Sequence, residues 1–260
     1  MQCELKTITP EYASSLLVRN VGNRALSRSH VESLAKEMRA GRWKVNGDTI
    51  CVNGSRLIDG QHRLQAVVES GVTIQSLVVT DLPSDVFDTK DVGKRRSPGD
   101  TLSVLGVPNA ARLAAALALV DAYCTGRGDV RVHYTNTEVE GLMHKYPDVM
   151  ASIQSTVNGK SLLQPSVLDA CHYLFSQKDK GLADEFVVKV LKGTGLTEGS
   201  AWYVLRERLV ANSLSKAKLS RPYLMALCIK AWNCERSGKT VRCLRWREKG
   251  DAVEPYPVIH

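Results

Sequence analysis

"RLIDGQHRLQAVVES", residues 56–70, runs an apolar pair into Asp-Gly, then Gln-His-Arg, then a helical pattern. Arg56–Asp59 reads as a strand, and Leu64, Val67 and Val68 restore helical spacing before Gly71 ends it. Gly60, Gln61 and His62 then fall at a helix N-terminus, where backbone N–H groups and the positive end of the dipole favour an anion. Arg63 adds a fork able to grip phosphate in two places. Gly60 lets a ligand approach the backbone, and Asp59 can cap the helix or take part in the chemistry of a metal-bound nucleotide. The same spacing also fits an ordinary capped turn with solvated first-turn side chains.

Upstream, "SRSHVESLAKEMRAGRW" has Ser27 as N-cap and sets Val31, Leu34, Ala35 and Met38 on one stripe before Gly41. "TICV" and "RLID" alternate around Asn53-Gly54, which predicts a hairpin. "QSLVVTDL" reads as a buried strand. After Pro83, "DVFDTKDVGKRRSPGDTLSVLG" is polar and rich in turn residues, and it predicts a boundary between halves.

Beyond it, six stretches from "NAARLAAALALVDAY" to "SRPYLMALCIKAWNCERSG" carry apolar residues at three- and four-residue spacing. The expected fold class is therefore α+β, with an α+β domain over residues 1–100 and an all-α helical domain over 101–260.

The chain has 260 residues, 43% of them hydrophobic, enough to bury a core in each half. Lys and Arg number 35 against 27 Asp and Glu, a formal +8 that suits nucleic acid or nucleotides and equally serves solubility. Seven scattered cysteines form neither Cys-x-x-Cys nor a zinc spacing and read as reduced thiols. His133, His144 and His172 have no metal spacing either. The N-terminus lacks a signal-peptide pattern, and no window reaches the roughly 20 apolar residues of a membrane span. These features predict a cytoplasmic protein with no membrane partner.

"DGQHRLQA", preceded by the helix-Gly-strand-turn-strand run from Ser27 to Ile58, resembles the second signature box of the ParB/sulfiredoxin superfamily, Gly-x-Arg-Arg or Gly-x-His-Arg before a helix. "NVGNRALSRSHVESLAKEMRAGRW" resembles the family's first region, with an Asn-x-Arg-like "GNR" ending at Arg24. Residues 18–106 and the closing "EPYPVI" look most like phage-encoded ParB-like nuclease-domain proteins, which would place the chain in the cytoplasm of a bacterial host.

The resemblance implies that the N-terminal domain is a small mixed-sheet ParB/sulfiredoxin-like domain in which Gly60, Gln61, His62 and Arg63 bind nucleotide phosphates, with ATP or CTP and Mg as cofactors. Similar pockets serve CTP switching, ATP-dependent sulfinic-acid repair, phosphoryl transfer to free serine, and nuclease or ATPase activity. Sulfiredoxins place their catalytic Cys where this chain has Gln61, so sulfinic-acid repair is not expected. The first Arg of the partition-protein motif is His62 here, so CTP preference does not follow.

Other residues extend the candidate site. Asp91 can hold a metal or act as a base, and Arg95 or Arg96 can clamp a phosphate if their loop folds onto the pocket; an exposed charged linker is the other reading. Asp48 and Glu37 are candidate general bases, or a turn cap and a solvated helix residue. Asp59, His62, Asp48 and Asp91 make up the catalytic set, with no resident metal site.

"KVLKGTGLTEGSAWYVLRERL" fits a helix-turn-helix bearing Arg206 and Arg208, while Trp202, Leu205 and Leu209 fit ordinary bundle packing. Lys216, Lys218, Arg221, Arg245 and Arg247 form a basic set, with Trp246, suited to a nucleic-acid backbone or to a plain solvated surface. DNA is the expected macromolecular partner, and the helical half is a natural homodimer interface. The function expected is NTP-dependent phosphoryl transfer, NTPase or nuclease activity linked to DNA metabolism or modification. The alternative is a non-enzymatic DNA-binding or host-protein-inhibiting factor.

Overall fold

The computed structural model describes residues 1–23, 25–54, 56–82, 97–130, 132–156, 162–250 and 252–260. It is a mixed α/β protein with, among the described residues, one four-stranded mixed sheet and eleven helices. The chain forms two compact units, Met1–Arg95 and Arg96–His260.

The first unit runs β1 (Gln2–Ile8), α1 (Pro10–Leu17), α2 (Arg28–Arg39), β2 (Thr49–Asn53), β3 (Arg56–Asp59), α3 (Gln61–Ser70) and β4 (Ile74–Thr80). Strand order is β1-β4-β2-β3. β4 is antiparallel to β1 and parallel to β2, and β2 and β3 form the hairpin, with a register shift between Cys51 and Val52. Strand alternation sends Ile50, Val52 and Val78 to one face, where they meet Val31, Ala35 and Met38 of α2 and Leu64 and Val67 of α3. Cys51, Ile58, Val79 and Leu82 form a smaller cluster. Trp43 packs against the main cluster and donates its indole N–H to the Gln75 carbonyl at 2.9 Å.

Two elements of this unit have no counterpart in the sequence expectation. β1 buries only Ile8 fully, so its own pattern is nearly silent, and its strand geometry comes from pairing with the apolar β4. α1 is short, with Thr9 as N-cap accepting the Tyr12 N–H and Pro10 in its first turn.

The second unit contains α4 (Pro98–Val104), α5 (Ala110–Cys124), α6 (Asn136–Lys145), α7 (Val149–Thr156), α8 (Pro165–Ser176), α9 (Lys180–Lys192), α10 (Ala201–Leu214) and α11 (Arg221–Arg236). α4 arises inside the stretch read as a polar connection. Ser97 and Asp100 close a capping box around Pro98, a start signal strong enough to seed a helix in a turn-rich sequence. Pro98–Asp100 therefore belong with the helical unit.

Phe175 stacks on Trp232 at 4.2 Å and meets Phe186 edge-on, and Phe186 in turn meets Trp202. Trp202, Leu205 and Leu209 are buried, and Arg206 donates to the carbonyls of Val190 and Leu191 at the end of α9. That arginine thus ties α10 to the end of α9.

Two buried acids organise this core. Asp169 is fully buried and takes both forks of Arg112 at 2.5 and 2.6 Å, with Thr156 donating to the same carboxylate. Asp121 accepts from Tyr134 at 2.7 Å, Tyr146 at 2.9 Å and Lys145 at 2.7 Å. Burial pulls its carboxyl upward, and the bonds from Lys145, Tyr134 and Tyr146 outweigh that and hold it below the usual range. Burial with the adjacent Asp121 pushes the Tyr146 phenol up to about 12.

Among the described residues no helix is long and apolar enough to cross a membrane.

Candidate functional site

The turn between β3 and α3 is built by one backbone requirement. Gly60 is the N-cap of α3 at φ 101°, in the left-handed region, and a Cβ there would lie 3.0 Å from Ile50 Cγ1 and 3.2 Å from Ile50 Cα. The glycine thus lets the helix start directly against β2. Among the described residues no side chain caps this helix. Asp59 stands outside it, accepting the Gly60 N–H through Oδ1 at 2.5 Å and the Arg63 Nη2 through Oδ2 at 3.4 Å. The cap role expected of Asp59 passes to Gly60, and the carboxylate positions Arg63 instead.

Arg63 is largely buried, with its side chain 14% exposed. Its Nη1 is buried and finds no hydrogen-bond partner among the described residues. A buried guanidinium N–H without an acceptor costs roughly 1–3 kcal/mol or more, so this atom marks a place where an anion would be stabilised.

The other two polar residues of the motif face inward. His62 is buried, and its Nε2 accepts the backbone N–H of Ser27, the N-cap of α2, at 3.0 Å. That bond requires an unprotonated Nε2. The His30 ring lies 5.1 Å from it, centroid to centroid. Gln61 is also buried, and its Oε1 accepts from Asn20 at 3.0 Å. Asn23 Nδ2 donates to Asn20 Oδ1 at 2.6 Å and to the Leu57 carbonyl at 2.8 Å. The segment before α2 is thereby tied to the start of α3, and Leu57 N–H donates to the Arg19 carbonyl at 2.8 Å.

Asp59, Gly60, Gln61, His62 and Arg63 therefore form one constellation. Asp48 precedes β2 on an exposed turn, two residues before the Ile50 that Gly60 touches, where Asn46 Nδ2 reaches its Oδ2 at 3.3 Å. Glu37 is held by both forks of Arg42 at 2.8 Å. Arg24, Asp91, Arg95 and Arg96 lie outside the described residues. Asn20, Asn23, Ser27 and Ile50 complete the turn and were not singled out from the sequence as parts of the site. Asn23 lies in the "GNR" stretch and Ser27 was read as an N-cap, whereas Asn20, which bonds Gln61, carried no signal of its own.

The donor set suits a phosphate better than a resident metal. No group of three or more His, Cys, Asp or Glu able to hold a metal ion occurs among the described residues. Asp59 is the one carboxylate in the turn, and Mg²⁺ characteristically uses one or two carboxylates together with the phosphates of its nucleotide. Arg63 Nη1 offers a donor to an anion, and Gly60 leaves the backbone beside it open.

The basic set of the helical unit is divided. Lys218 Nζ donates to the carbonyls of Asn212 and Ser213 at 3.0 and 2.6 Å, closing the end of α10. Arg221 Nε donates to Gln164 Oε1 at 2.9 Å. Lys216, Arg245 and Arg247 are exposed, and between the last two Trp246 is buried against Tyr223 and Tyr256. Trp246 anchors the segment and leaves its arginines outside.

Comparison of the chain with protein-family models, with curated proteins and with solved structures finds no match.

Proposed function

We propose that the first unit is a ParB/sulfiredoxin-like domain that binds a nucleoside triphosphate by its phosphates at the Asp59–Arg63 turn. On this reading it performs NTP-dependent phosphoryl transfer, NTP hydrolysis or nuclease chemistry in DNA metabolism or modification. The observation that carries the reading is the buried Nη1 of Arg63, without a partner among the described residues, at the start of a helix that begins at a glycine. Arg63 and the first-turn amides of α3 hold the phosphates, and Asp59 holds Mg²⁺ or accepts a proton. His62 and Gln61 position the turn, because their polar atoms are bonded to Ser27 and Asn20.

A thermal-shift panel of ATP, CTP, GTP and UTP, with and without Mg²⁺, tests this on wild type and Arg63→Ala. A nucleotide-dependent rise in Tm that the variant loses is the expected outcome, since a charge-assisted contact contributes about 1.5–3 kcal/mol. No shift with any nucleotide, or a shift unchanged in Arg63→Ala, rejects the assignment.

A second reading, a DNA-binding or host-protein-inhibiting factor without turnover, is supported by the exposed Arg245 and Arg247 on either side of a buried anchor. Its signature is duplex binding that falls steeply as salt rises from about 50 to 200 mM and weakens in Arg245→Ala/Arg247→Ala.

A further inference from the structure

The sheet of the first unit ends in two edge strands, β1 and β3, and the fold treats them differently. β3 is four residues long, and its register with β2 is broken between Cys51 and Val52. Its Leu57 N–H donates to the Arg19 carbonyl at 2.8 Å, and the Leu57 carbonyl accepts from Asn23 Nδ2 at 2.8 Å, so the 19–23 segment covers it. Short length, a register shift and a covering segment all keep an edge from pairing with another chain. β1 has none of them. It is seven residues long, contains no proline, holds an unbroken register with β4 from Gln2 opposite Thr80 to Ile8 opposite Ile74, and pairs with no other strand among the described residues.

The sequence of that edge is complementary to itself. Gln2-Cys3-Glu4-Leu5-Lys6-Thr7-Ile8 has Leu5 at its centre. When a second copy lies antiparallel with Leu5 opposite Leu5, each Glu4 falls opposite a Lys6. In a parallel alignment Glu4 would meet Glu4 and Lys6 would meet Lys6, which is repulsive. Within one strand Lys6 Nζ already reaches Glu4 Oε2 at 3.1 Å, and both side chains are accessible, so the pair can turn toward a second strand without leaving either charge alone. A lone lysine would guard the edge; an opposite charge two positions away cancels that protection.

The other face supplies an apolar row. Strand alternation puts Leu5 opposite in direction to Glu4 and Lys6, and it is 55% exposed although it is a large apolar side chain, next to Leu77 of β4. Antiparallel pairing sets the two Leu5 side chains between two copies of Leu77, a cross-strand row of four leucines.

We propose that β1 is a self-association edge: two copies of the chain pair antiparallel through Gln2–Ile8, with Leu5 on the two-fold axis, and join their sheets into one. β1 and β3 lie at opposite edges of the sheet, so this pairing does not rest on the assignment of the Asp59–Arg63 turn.

Sedimentation of the full chain from low to high micromolar concentration tests it. Wild type is expected to pass from a monomer to a species of twice its mass. Leu5→Lys, which sets two like charges at the centre, should move that transition to at least tenfold higher concentration, with circular dichroism checking the fold; Leu5→Thr stands in if it is unfolded. Glu4→Lys and Lys6→Glu should each weaken association as strongly, because every cross-strand pair becomes like-charged. The double variant Glu4→Lys/Lys6→Glu should recover the wild-type transition, since antiparallel pairing about Leu5 again places opposite charges together. A wild type that stays monomeric throughout, association unchanged in the Leu5 variant or in the single charge variants, or a double variant no better than the single ones overturns the proposal.

Discussion

The buried charges of the two units are treated in opposite ways. In the helical unit Asp169 and Asp121 are surrounded by donors, from Arg112 and Thr156 in one case and from Tyr134, Tyr146 and Lys145 in the other. In the first unit Arg63 has, among the described residues, one carboxylate at 3.4 Å and a buried nitrogen with no acceptor. A saturated buried charge is structural, since nothing is left for a ligand to satisfy. An unsaturated one is a cost that the fold carries until something binds.

Breaking a saturated network should give the largest loss. Asp169→Asn leaves the Arg112 guanidinium without its counter-charge and should lower stability by about 3–5 kcal/mol, read from the midpoint of urea unfolding. The other acid gives a pH signature. The Asp121 carboxyl sits below its ordinary value, so its stabilisation is complete above the unfolded carboxyl's value of about 3.9 and is lost as pH falls through the lower folded value. The stability gap between wild type and Asp121→Asn should therefore be widest near neutral pH and close in acid, as thermal melts across that range would show.

Changes at the Asp59–Arg63 turn should be milder in stability and, on the proposed reading, sharper in binding. Gly60→Ala forces a side chain into a left-handed backbone and onto Ile50, at a cost of about 1–3 kcal/mol, together with loss of any nucleotide-induced Tm shift. His62→Phe removes the acceptor of the Ser27 N–H and should cost about 1–3 kcal/mol, with an affinity loss smaller than that of Arg63→Ala. Equal binding losses in those two variants would mean that His62 touches the ligand, and would blur the contrast between the units. Smallest of all, Lys216→Ala should change stability by no more than about 0.5 kcal/mol, because the side chain is exposed on a loop.

Much of this arrangement was legible in the sequence where periodicity was strong. The hairpin at Asn53-Gly54, the helix after Ser27 and the start of α3 at Gly60 were read from turn chemistry and spacing. β1 was silent because an edge strand with one fully buried residue carries almost no pattern of its own. α4 was hidden because its capping box uses the Ser, Pro, Gly and Asp that also mark loops. At the turn, sequence identified Arg63 and Gly60 but could not show that His62 and Gln61 are bonded inward. Those bonds come from Ser27 and Asn20, dozens of positions away. In the same way spacing offered Arg206 to DNA, and only the fold shows its guanidinium on the carbonyls of α9.

The strand order β1-β4-β2-β3 also has a kinetic meaning. β4 sits between β1 and β2, with Gln2 opposite Thr80 and Thr49 opposite Leu77, so the last strand made is the one that joins the first to the hairpin. On a ribosome the hairpin and α3 can form early as local structure, while the sheet must wait for β4 to emerge and close a long loop. Until then α3 has only part of its packing surface. The Asp59–Arg63 turn would thus exist in outline before its core is complete, and any ligand that grips Arg63 at that stage would act as a folding aid.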